Sequence, residues 1–132
     1  MVDAKIVEEW ISKADEDFEF AFLNLNEGKT FFAQICFHFQ QASEKYLKAY
    51  IIGHELEFRK IHDLPVLLKI CFSKDPSLEQ LREDCEYLAP FYVDTRYPVH
   101  WPTNFSSQEA QKALQSVSRI RTLLKEKLQN LL

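Results

Sequence analysis

The sequence predicts an all-α fold: an up-and-down helical bundle of three long and two short helices. Apolar residues recur at spacings of three and four through most of the chain, as they do along one side of a helix. Gly occurs only 2 times and Pro 5 times in 132 residues, which disfavours a turn-rich β-sandwich or barrel. The length suits one core, so residues 1–132 are expected to form a single domain.

Composition and charge exclude several classes of protein. Hydrophobic residues make up 46% of the chain, which is too many for a disordered protein. A net charge of −4 disfavours duplex nucleic-acid binding over the whole surface but allows a local basic site. The sequence has no long apolar run and no secretory signal, so a cytoplasmic protein without a membrane span is expected.

The cysteines give no sign of a disulfide framework. Cys36, Cys71 and Cys85 are far apart in the sequence and form no C-x-x-C pair. We expect them to be reduced packing residues rather than zinc ligands. Neither a metal site nor a cofactor is predicted.

The first predicted helix has an apolar stripe on one side and acids on the other. Asp3 is its expected N-cap, and Gly28 follows its end, where a left-handed residue is favoured. Residues 1–28 contain eight acids and two lysines, which we interpret as a solvated outer face. The acids at positions 15–17 are expected to serve solubility. The apolar stripe consists of Val7, Trp10, Ile11, Ala14, Phe18, Ala21, Phe22 and Leu25.

The second predicted helix is the most apolar. Thr30 is its expected cap, and it runs to about Ile52 with Gly53 as the stop. Residues 31–39 are apolar nearly all round, so they must be covered on more than one side, at the centre of the bundle or in a subunit contact. We therefore expect a homodimer. Three aromatic residues are predicted in its contact: Phe31, Phe32 and Phe37.

Two short helices are expected next. Asp63 is the predicted N-cap of the third helix, with Pro65 in its first turn, and Asp75-Pro76 ends it. Ser77 begins a fourth helix, which should end or bend near Pro90.

The end of the chain combines an irregular segment with a long helix. Residues 91–105 contain two prolines and five aromatic residues without any helical period. The last helix begins at Ser106, which can form a capping box with Glu109. From there onward five bases oppose two acids.

One polar motif lies on the second helix. Gln41, Lys45 and Lys48 are three or four residues apart and are expected to share a helix face. One interpretation is structural, with Glu44 and Lys48 as a surface ion pair. The other makes these three residues the polar walls of a groove that faces residues 91–105.

The irregular segment concentrates groups that suit a nucleotide. Arg96 offers a planar fork of donors for phosphate, and His100 can exchange a proton near neutral pH. Nearby aromatic rings could stack on a base. RNA cleavage without a metal requires such groups, one to remove a proton and one to stabilise charge at phosphorus. The structural alternative is that the aromatic residues pin the segment on the core while Arg96 caps a helix or pairs with Asp94.

Three motifs carry a resemblance to a known family. Residues 39–50 contain Q-Q-A-S-E-K-Y-L-K-A, which resembles the Q-Q-A-x-E-K-x-x-K-A of the HEPN family. His62-Asp63-Leu64 is similar to that family's H-[DS]-L at the third helix, and Arg96-Tyr97-Pro98 to its R-Y-P before the last helix. Helix order and chain length agree as well, so the resemblance spans nearly the whole chain.

The resemblance implies a function. It implies a homodimer with a nucleotide- or RNA-binding groove near the segment before the last helix, and a genetic partnership with a minimal nucleotidyltransferase, as toxin and antitoxin. Single-stranded RNA or a nucleotide is the expected ligand. The expected nucleotide-binding residues are Gln41, Lys45, Lys48, Arg96 and Tyr97.

The family's ribonuclease branches imply an alternative function. Their catalytic pair is R-x(4–6)-H, which would make Arg96 the phosphate clamp and His100 the general base of a metal-independent endoribonuclease. Here only three residues separate the two, and Pro98 favours an extended Tyr97, so Arg96 and His100 need not share a helix face. A third possibility is a structural protein whose aromatic residues mediate assembly.

The other histidines have structural explanations. His38 lies between Phe37 and Phe39 and is expected to be a hydrogen-bonded core or interface residue. His54 follows the helix stop and is expected in solvent. His62 stands beside the Asp63 cap and is expected to order the loop.

Overall fold

The computed structural model describes residues 2–94 and 105–132, and every regular element in these two ranges is helical. This confirms the all-α prediction and the three long helices. Between the third and fourth α-helices lies a 3₁₀ helix, Pro76–Leu81, and another, Gln129–Leu131, ends the chain. The α-helices are α1 (Ala4–Asn26), α2 (Phe32–Gly53), α3 (Leu64–Lys74), α4 (Arg82–Leu88), α5 (Phe91–Asp94) and α6 (Ser107–Leu128).

Helix α2 is the centre of the bundle. It packs against α1, α3, α4, α5 and α6, and its largest fully buried side chains are Phe39, Tyr46 and Tyr50. A helix that is apolar on nearly all sides is stable in water only when neighbours cover it. Helix α2 is therefore central to the bundle, one of the two predicted positions, while Phe31 at its start is 44% exposed and the subunit contact stays a prediction.

Side-chain caps begin three of the helices, as predicted. Asp3 and Asp63 accept hydrogen bonds from backbone N–H groups in the first turns of α1 and α3. Ser106 and Glu109 form the complete capping box at the start of α6. These caps satisfy donors that the first turn of a helix leaves without an intrahelical acceptor.

The predicted ends of α2 need correction. Phe31 occupies the N-cap position without a side-chain hydrogen bond, so Thr30 is not the cap. Gly53 is the last residue of the helix rather than its stop, and Glu55 is the residue with positive φ (55°). A Cβ at Gly53 would lie 2.8 Å from Cδ1 of Leu131, so a larger residue there would require the Leu131 side chain to shift.

The predicted fourth helix is divided. A 3₁₀ helix runs over Pro76–Leu81 and the α-helix begins only at Arg82. Asp75 accepts hydrogen bonds from both the backbone and the hydroxyl of Ser77, which holds the tighter first turn in place.

Candidate functional site

The two ends of the irregular segment are held at one place on the bundle. Phe91, in α5, is buried, and its ring centroid lies 5.8 Å from that of Phe105 and 5.4 Å from that of Tyr87. Helix α5 also packs against α2. Arg96, Tyr97 and His100 lie outside the described residues, as does the predicted alternative pairing of Arg96 with Asp94.

A stacked pair of rings lies beside α5. The imidazole of His62 and the ring of Tyr92 are nearly parallel, with centroids 4.1 Å apart and an interplanar angle of 12°. The centroid of Tyr92 is also 6.3 Å from that of Phe37 on α2. Tyr92 therefore joins α5 to the loop between α2 and α3 (residues 54–63, the α2–α3 loop).

The buried carboxylate of Glu44 holds the imidazole of His62 on the side toward α2. Oε1 of Glu44 lies 2.9 Å from Nδ1 of His62, and Oε2 accepts a hydrogen bond of 2.9 Å from Nζ of Lys48. The Glu44 and Lys48 side chains are only 6% and 7% exposed. The predicted surface ion pair is therefore a buried one, because the α2–α3 loop covers it.

An aromatic residue of the α2–α3 loop, Phe58, lies over Lys48. Nζ of Lys48 is 5.7 Å from the centroid of the Phe58 ring, within the range of a cation–π contact. Phe58 in turn makes an edge contact with Trp10 of α1. Removing one member of a buried, hydrogen-bonded ion pair typically costs about 3–5 kcal/mol, so Lys48 has a structural role in addition to any binding role.

The two glutamines of the motif form a short hydrogen-bonded chain. Gln41 donates to the side-chain oxygen of Gln40 at 2.7 Å, and Gln40 donates to the backbone carbonyl of His62 at 3.2 Å. Gln40 is fully buried. The pair fixes the backbone at His62, so this histidine orders the loop as predicted, and Glu44 fixes its ring.

Lys45 engages a different neighbour from Lys48. Its Nζ donates to Oδ2 of Asp17 on α1, whose other oxygen lies 3.0 Å from Nδ1 of His38. The two lysines are close on the helix, but their long side chains diverge toward separate carboxylates. A phosphate that contacts either lysine must share it with its carboxylate partner.

The acids of α1 are not all solvated, and this corrects the sequence interpretation. Asp15 accepts hydrogen bonds from Tyr46 of α2 and from Arg121 (3.3 Å) and Lys125 (2.9 Å) of α6. Burial raises the pKa of Asp15. The hydrogen bonds from Lys125 and Tyr46 and the positive charges of Lys125 and Arg121 lower it by more, so the pKa lies below its ordinary value. Asp15 therefore links three helices.

Asp17 is also a paired carboxylate with a lowered pKa. Burial raises its pKa, and the hydrogen bonds from His38 and Lys45 outweigh that effect, so its pKa also lies below the ordinary value. His38 is thus a hydrogen-bonded histidine of a helix interface, as predicted. For Asp15, whose basic partners are on α6, the sequence carried one signal, the excess of bases in the last helix beside the excess of acids in the first.

His54 is less exposed than predicted. Its Nε2 is buried without a hydrogen-bond partner, and its ring lies 4.3 Å from that of Tyr50. Burial and the nearby charge of Lys74 lower its pKa. The neutral imidazole is therefore favoured at this position.

The three thiols are packing residues. Cys36, Cys71 and Cys85 are all free and buried. Burial raises the pKa of Cys36 and Cys71 to about 12 in each case, with the charge of Glu109 contributing at Cys36. Among the described residues no three His, Cys, Asp or Glu side chains come together as metal ligands.

A surface cleft of about 560 Å³ contains Lys45, but its charge is mixed. The lining includes Trp10 and Lys13 of α1 together with Glu9 and Glu16. These two acids make the cleft a poor match for a phosphate.

Within residues 2–94 and 105–132, no helix has both the length and the hydropathy that crossing a membrane requires.

Comparison with known proteins confirms the resemblance. The family model described as "HEPN domain" matches residues 7–128. The crystal structure of TT1696 from Thermus thermophilus is similar, with a TM-score of 0.81 and 28% identity over 92% of this chain and 98% of that one. That of ST0689, an archaeal HEPN homologue, has a TM-score of 0.75 and 25% identity over 93% and 98% of the two chains. No curated protein matches the sequence significantly.

Proposed function

Because the chain belongs to the HEPN domain family, we propose that it is a homodimeric binding module for a nucleotide or an RNA phosphate. The main support is the position of the stacked His62–Tyr92 pair, which lies where α5 leads into the R-Y-P segment. Aromatic rings and hydrogen-bonding groups beside an arginine-containing segment suit a ligand with a base and a phosphate.

Each proposed ligand contact has a chemical role. Arg96 clamps the phosphate with its planar fork of donors, and Tyr97 stacks on the base. Gln41 offers an amide, while Lys45 and Lys48 contribute positive charge that their carboxylate partners reduce. Arg96 is the only one of these residues for which the proposal requires a direct ionic bond to phosphate.

Exposed apolar residues support the dimer. Phe20, Leu23 and Phe31 are 46%, 54% and 44% exposed, and they lie where α1 ends and α2 begins. Phe31 is one of the residues predicted in the subunit contact. Phe32 and Phe37, the other two residues predicted there, are partly buried: Phe32 packs against the core, and Phe37 contacts the rings of His38 and Tyr92. Exposed apolar residues in one region of a small protein are typical of an interaction surface.

The proposal extends to a protein partner. Family membership supports a genetic partnership with a minimal nucleotidyltransferase, in which this chain is the toxin-side component. Co-expression with the product of an adjacent transferase gene and co-purification of the two would test this partnership. Separate elution of the two proteins would contradict it.

Binding assays test the main proposal. We expect the wild-type protein to bind ATP or single-stranded RNA, measured by calorimetry or fluorescence anisotropy, and Arg96→Ala to weaken binding about 10- to 100-fold through loss of a charge-assisted phosphate contact. Arg82→Ala is the matched control, because Arg82 is exposed and pairs only three residues back, with Glu79 of the preceding 3₁₀ helix. An Arg96→Ala protein that binds normally and differs only in thermal stability would favour a structural role.

The same preparation tests the ribonuclease alternative. Single-stranded RNA is incubated with the protein and EDTA, and cleavage that His100→Ala abolishes would assign the general base to His100. Identical behaviour of the wild type and His100→Ala would exclude that catalytic assignment while leaving phosphate binding intact.

A further inference from the structure

Among the histidines that the structure describes, His62 has a ring that is both fixed and accessible beside α5. Its side chain is 45% exposed, whereas the carboxylate of Glu44 beneath it is 6% exposed. Tyr92 covers one face of the imidazole at 4.1 Å. Three contacts therefore set the position and the plane of this ring: the backbone bond from Gln40, the carboxylate and the tyrosine.

The carboxylate also sets the tautomer. A carboxylate oxygen accepts hydrogen bonds, so Nδ1 of His62 carries the hydrogen that Glu44 accepts. In the neutral imidazole, Nε2 on the opposite edge of the ring is then a hydrogen-bond acceptor. Lys48 occupies the other oxygen of Glu44, which keeps the carboxylate oriented.

An acceptor at Nε2 selects a particular group on the ligand. The oxygens of a phosphodiester carry no hydrogen, so they cannot donate to Nε2 of the neutral ring. In an RNA strand the donor nearest to each 3′-linked phosphate is the ribose 2′-hydroxyl, and in a free nucleotide the same hydroxyl is the sugar donor that the deoxy form lacks, so it is independent of the base and absent from DNA. Arg96, the proposed phosphate clamp, follows the end of α5 by only two residues.

We propose that His62, positioned by Glu44 and Tyr92, accepts a hydrogen bond from the ribose 2′-hydroxyl of the bound nucleotide and so sets a preference for ribose over deoxyribose. This inference rests on the proposed function as a nucleotide- or RNA-binding module. It adds His62 as a specificity-determining residue and Glu44 as its positioning residue.

Matched ligands test the proposal. Fluorescence anisotropy is measured with short single-stranded RNA and DNA of identical sequence, and calorimetry with ATP and dATP. We expect the wild type to favour the ribose ligand by about two- to tenfold, the effect of one net hydrogen bond. Tighter binding of the RNA than of the DNA oligonucleotide identifies RNA as the ligand. Tighter binding of ATP than of dATP, without a difference between the oligonucleotides, identifies a free nucleotide.

His62→Phe removes the acceptor and keeps a ring that can stack on Tyr92. We expect it to weaken binding of the ribose ligand to the level of the deoxyribose ligand, without changing the latter. His54→Phe is the control, because His54 also contacts a tyrosine ring, Tyr50, but lies at the far end of α2 and makes no carboxylate hydrogen bond in the described structure.

Nitrogen NMR of the histidine rings tests the positioning role of Glu44 without any ligand. We expect the hydrogen of His62 on Nδ1 in the wild type, and a shift toward the Nε2–H form in Glu44→Gln together with a smaller ribose preference. Glu44→Gln leaves Lys48 without its carboxylate partner, so circular dichroism is used to check that the variant folds. If it does not fold, the NMR spectrum of the wild type alone decides the tautomer of His62.

Several outcomes would overturn the inference. Equal affinities of the wild type for ribose and deoxyribose ligands, a preference that survives His62→Phe, or an Nε2–H tautomer in the wild type would each do so. Binding that still depends on Arg96 would leave the proposed function in place in all three cases. Absence of binding to every ligand would overturn both.

Discussion

Nζ of Lys125 lies 2.9 Å from Oδ2 of Asp15, which joins the first and last long helices across 110 residues of sequence. The same carboxylate accepts hydrogen bonds from Tyr46 of α2 and Arg121 of α6. One acid of α1 thus connects all three long helices of the bundle.

Replacing this carboxylate should destabilise the fold. We expect Asp15→Asn to lower the free energy of unfolding by about 1–3 kcal/mol, because its positive partners and Tyr46 lose a charged acceptor. Urea denaturation monitored by circular dichroism measures the change. Glu16→Gln is the control, since Glu16 makes only an exposed 3.4 Å pair with Lys13, worth about 0.5 kcal/mol or less. Equal effects of the two substitutions would contradict the assigned role of Asp15.

Stability should fall in acid. Hydrogen bonds from Ser77 and Lys127 hold the pKa of Asp75 at about 2, and the pKa values of Asp15 and Asp17 also lie below the ordinary value of 3.8. A carboxyl whose pKa is lower in the folded state stabilises the fold above the unfolded pKa. That stabilisation is lost as the pH falls through the folded value.

The acid-sensitive range is therefore set by these three groups. We expect the free energy of unfolding to decline from about pH 4 to about pH 2, measured by urea denaturation at a series of pH values. Asp75→Asn keeps an oxygen acceptor for Ser77 but no charge, so its profile should be shallower in this range. A wild-type profile that is flat below pH 4 would contradict the assignment.

The thiols should be unreactive in the folded protein. Burial raises the pKa of Cys36 and Cys71 to about 12 and that of Cys85 further, and the thiolate is the reactive form. With the reagent 5,5′-dithiobis(2-nitrobenzoic acid) near pH 8, we expect no fast reaction before unfolding and three thiols after it. Rapid native labelling of any cysteine would show that its helix opens readily.

A charge among the exposed apolar residues Phe20, Leu23 and Phe31 should disrupt the proposed dimer. We expect sedimentation velocity to show a dimer of 15.6 kDa chains for the wild type and a monomer for Phe31→Glu, because the interface would have to bury a charge. Ile6→Glu is the control: Ile6 is similarly exposed, at 43% against 44%, but lies at the other end of α1. A wild-type monomer at micromolar concentration would contradict the dimer itself.

Local sequence signals were sufficient for most of the fold. The caps at Asp3, Asp63 and Ser106 were predicted because each depends on a side chain and a backbone N–H only a few residues away. The predicted cap at Thr30 was wrong, because α2 begins at Phe32 without a side-chain cap. Gly53 was also misread as the stop of α2, since the helix includes it and the positive φ falls on Glu55.

The site was predicted less completely. The resemblance singled out the Q-Q-A-S-E-K run, His62 and the R-Y-P segment, and membership of the family is confirmed. That Glu44 holds His62 was not predicted, since the two are 18 residues apart and meet only when the α2–α3 loop folds over α2. The roles assigned to Arg96, Tyr97 and His100 stay predictions.

Periodicity and capping residues were enough to predict the long helices, most of their caps and the need to cover α2 on several sides, because both act within a few residues. Which polar side chains are solvated and which are paired depended on the packing of distant elements. Glu44 and Lys48 are buried and Asp15 is shared among helices because elements distant in the chain pass over them. Periodicity defines the faces of a helix, but the charge that lies opposite a polar face depends on long-range packing.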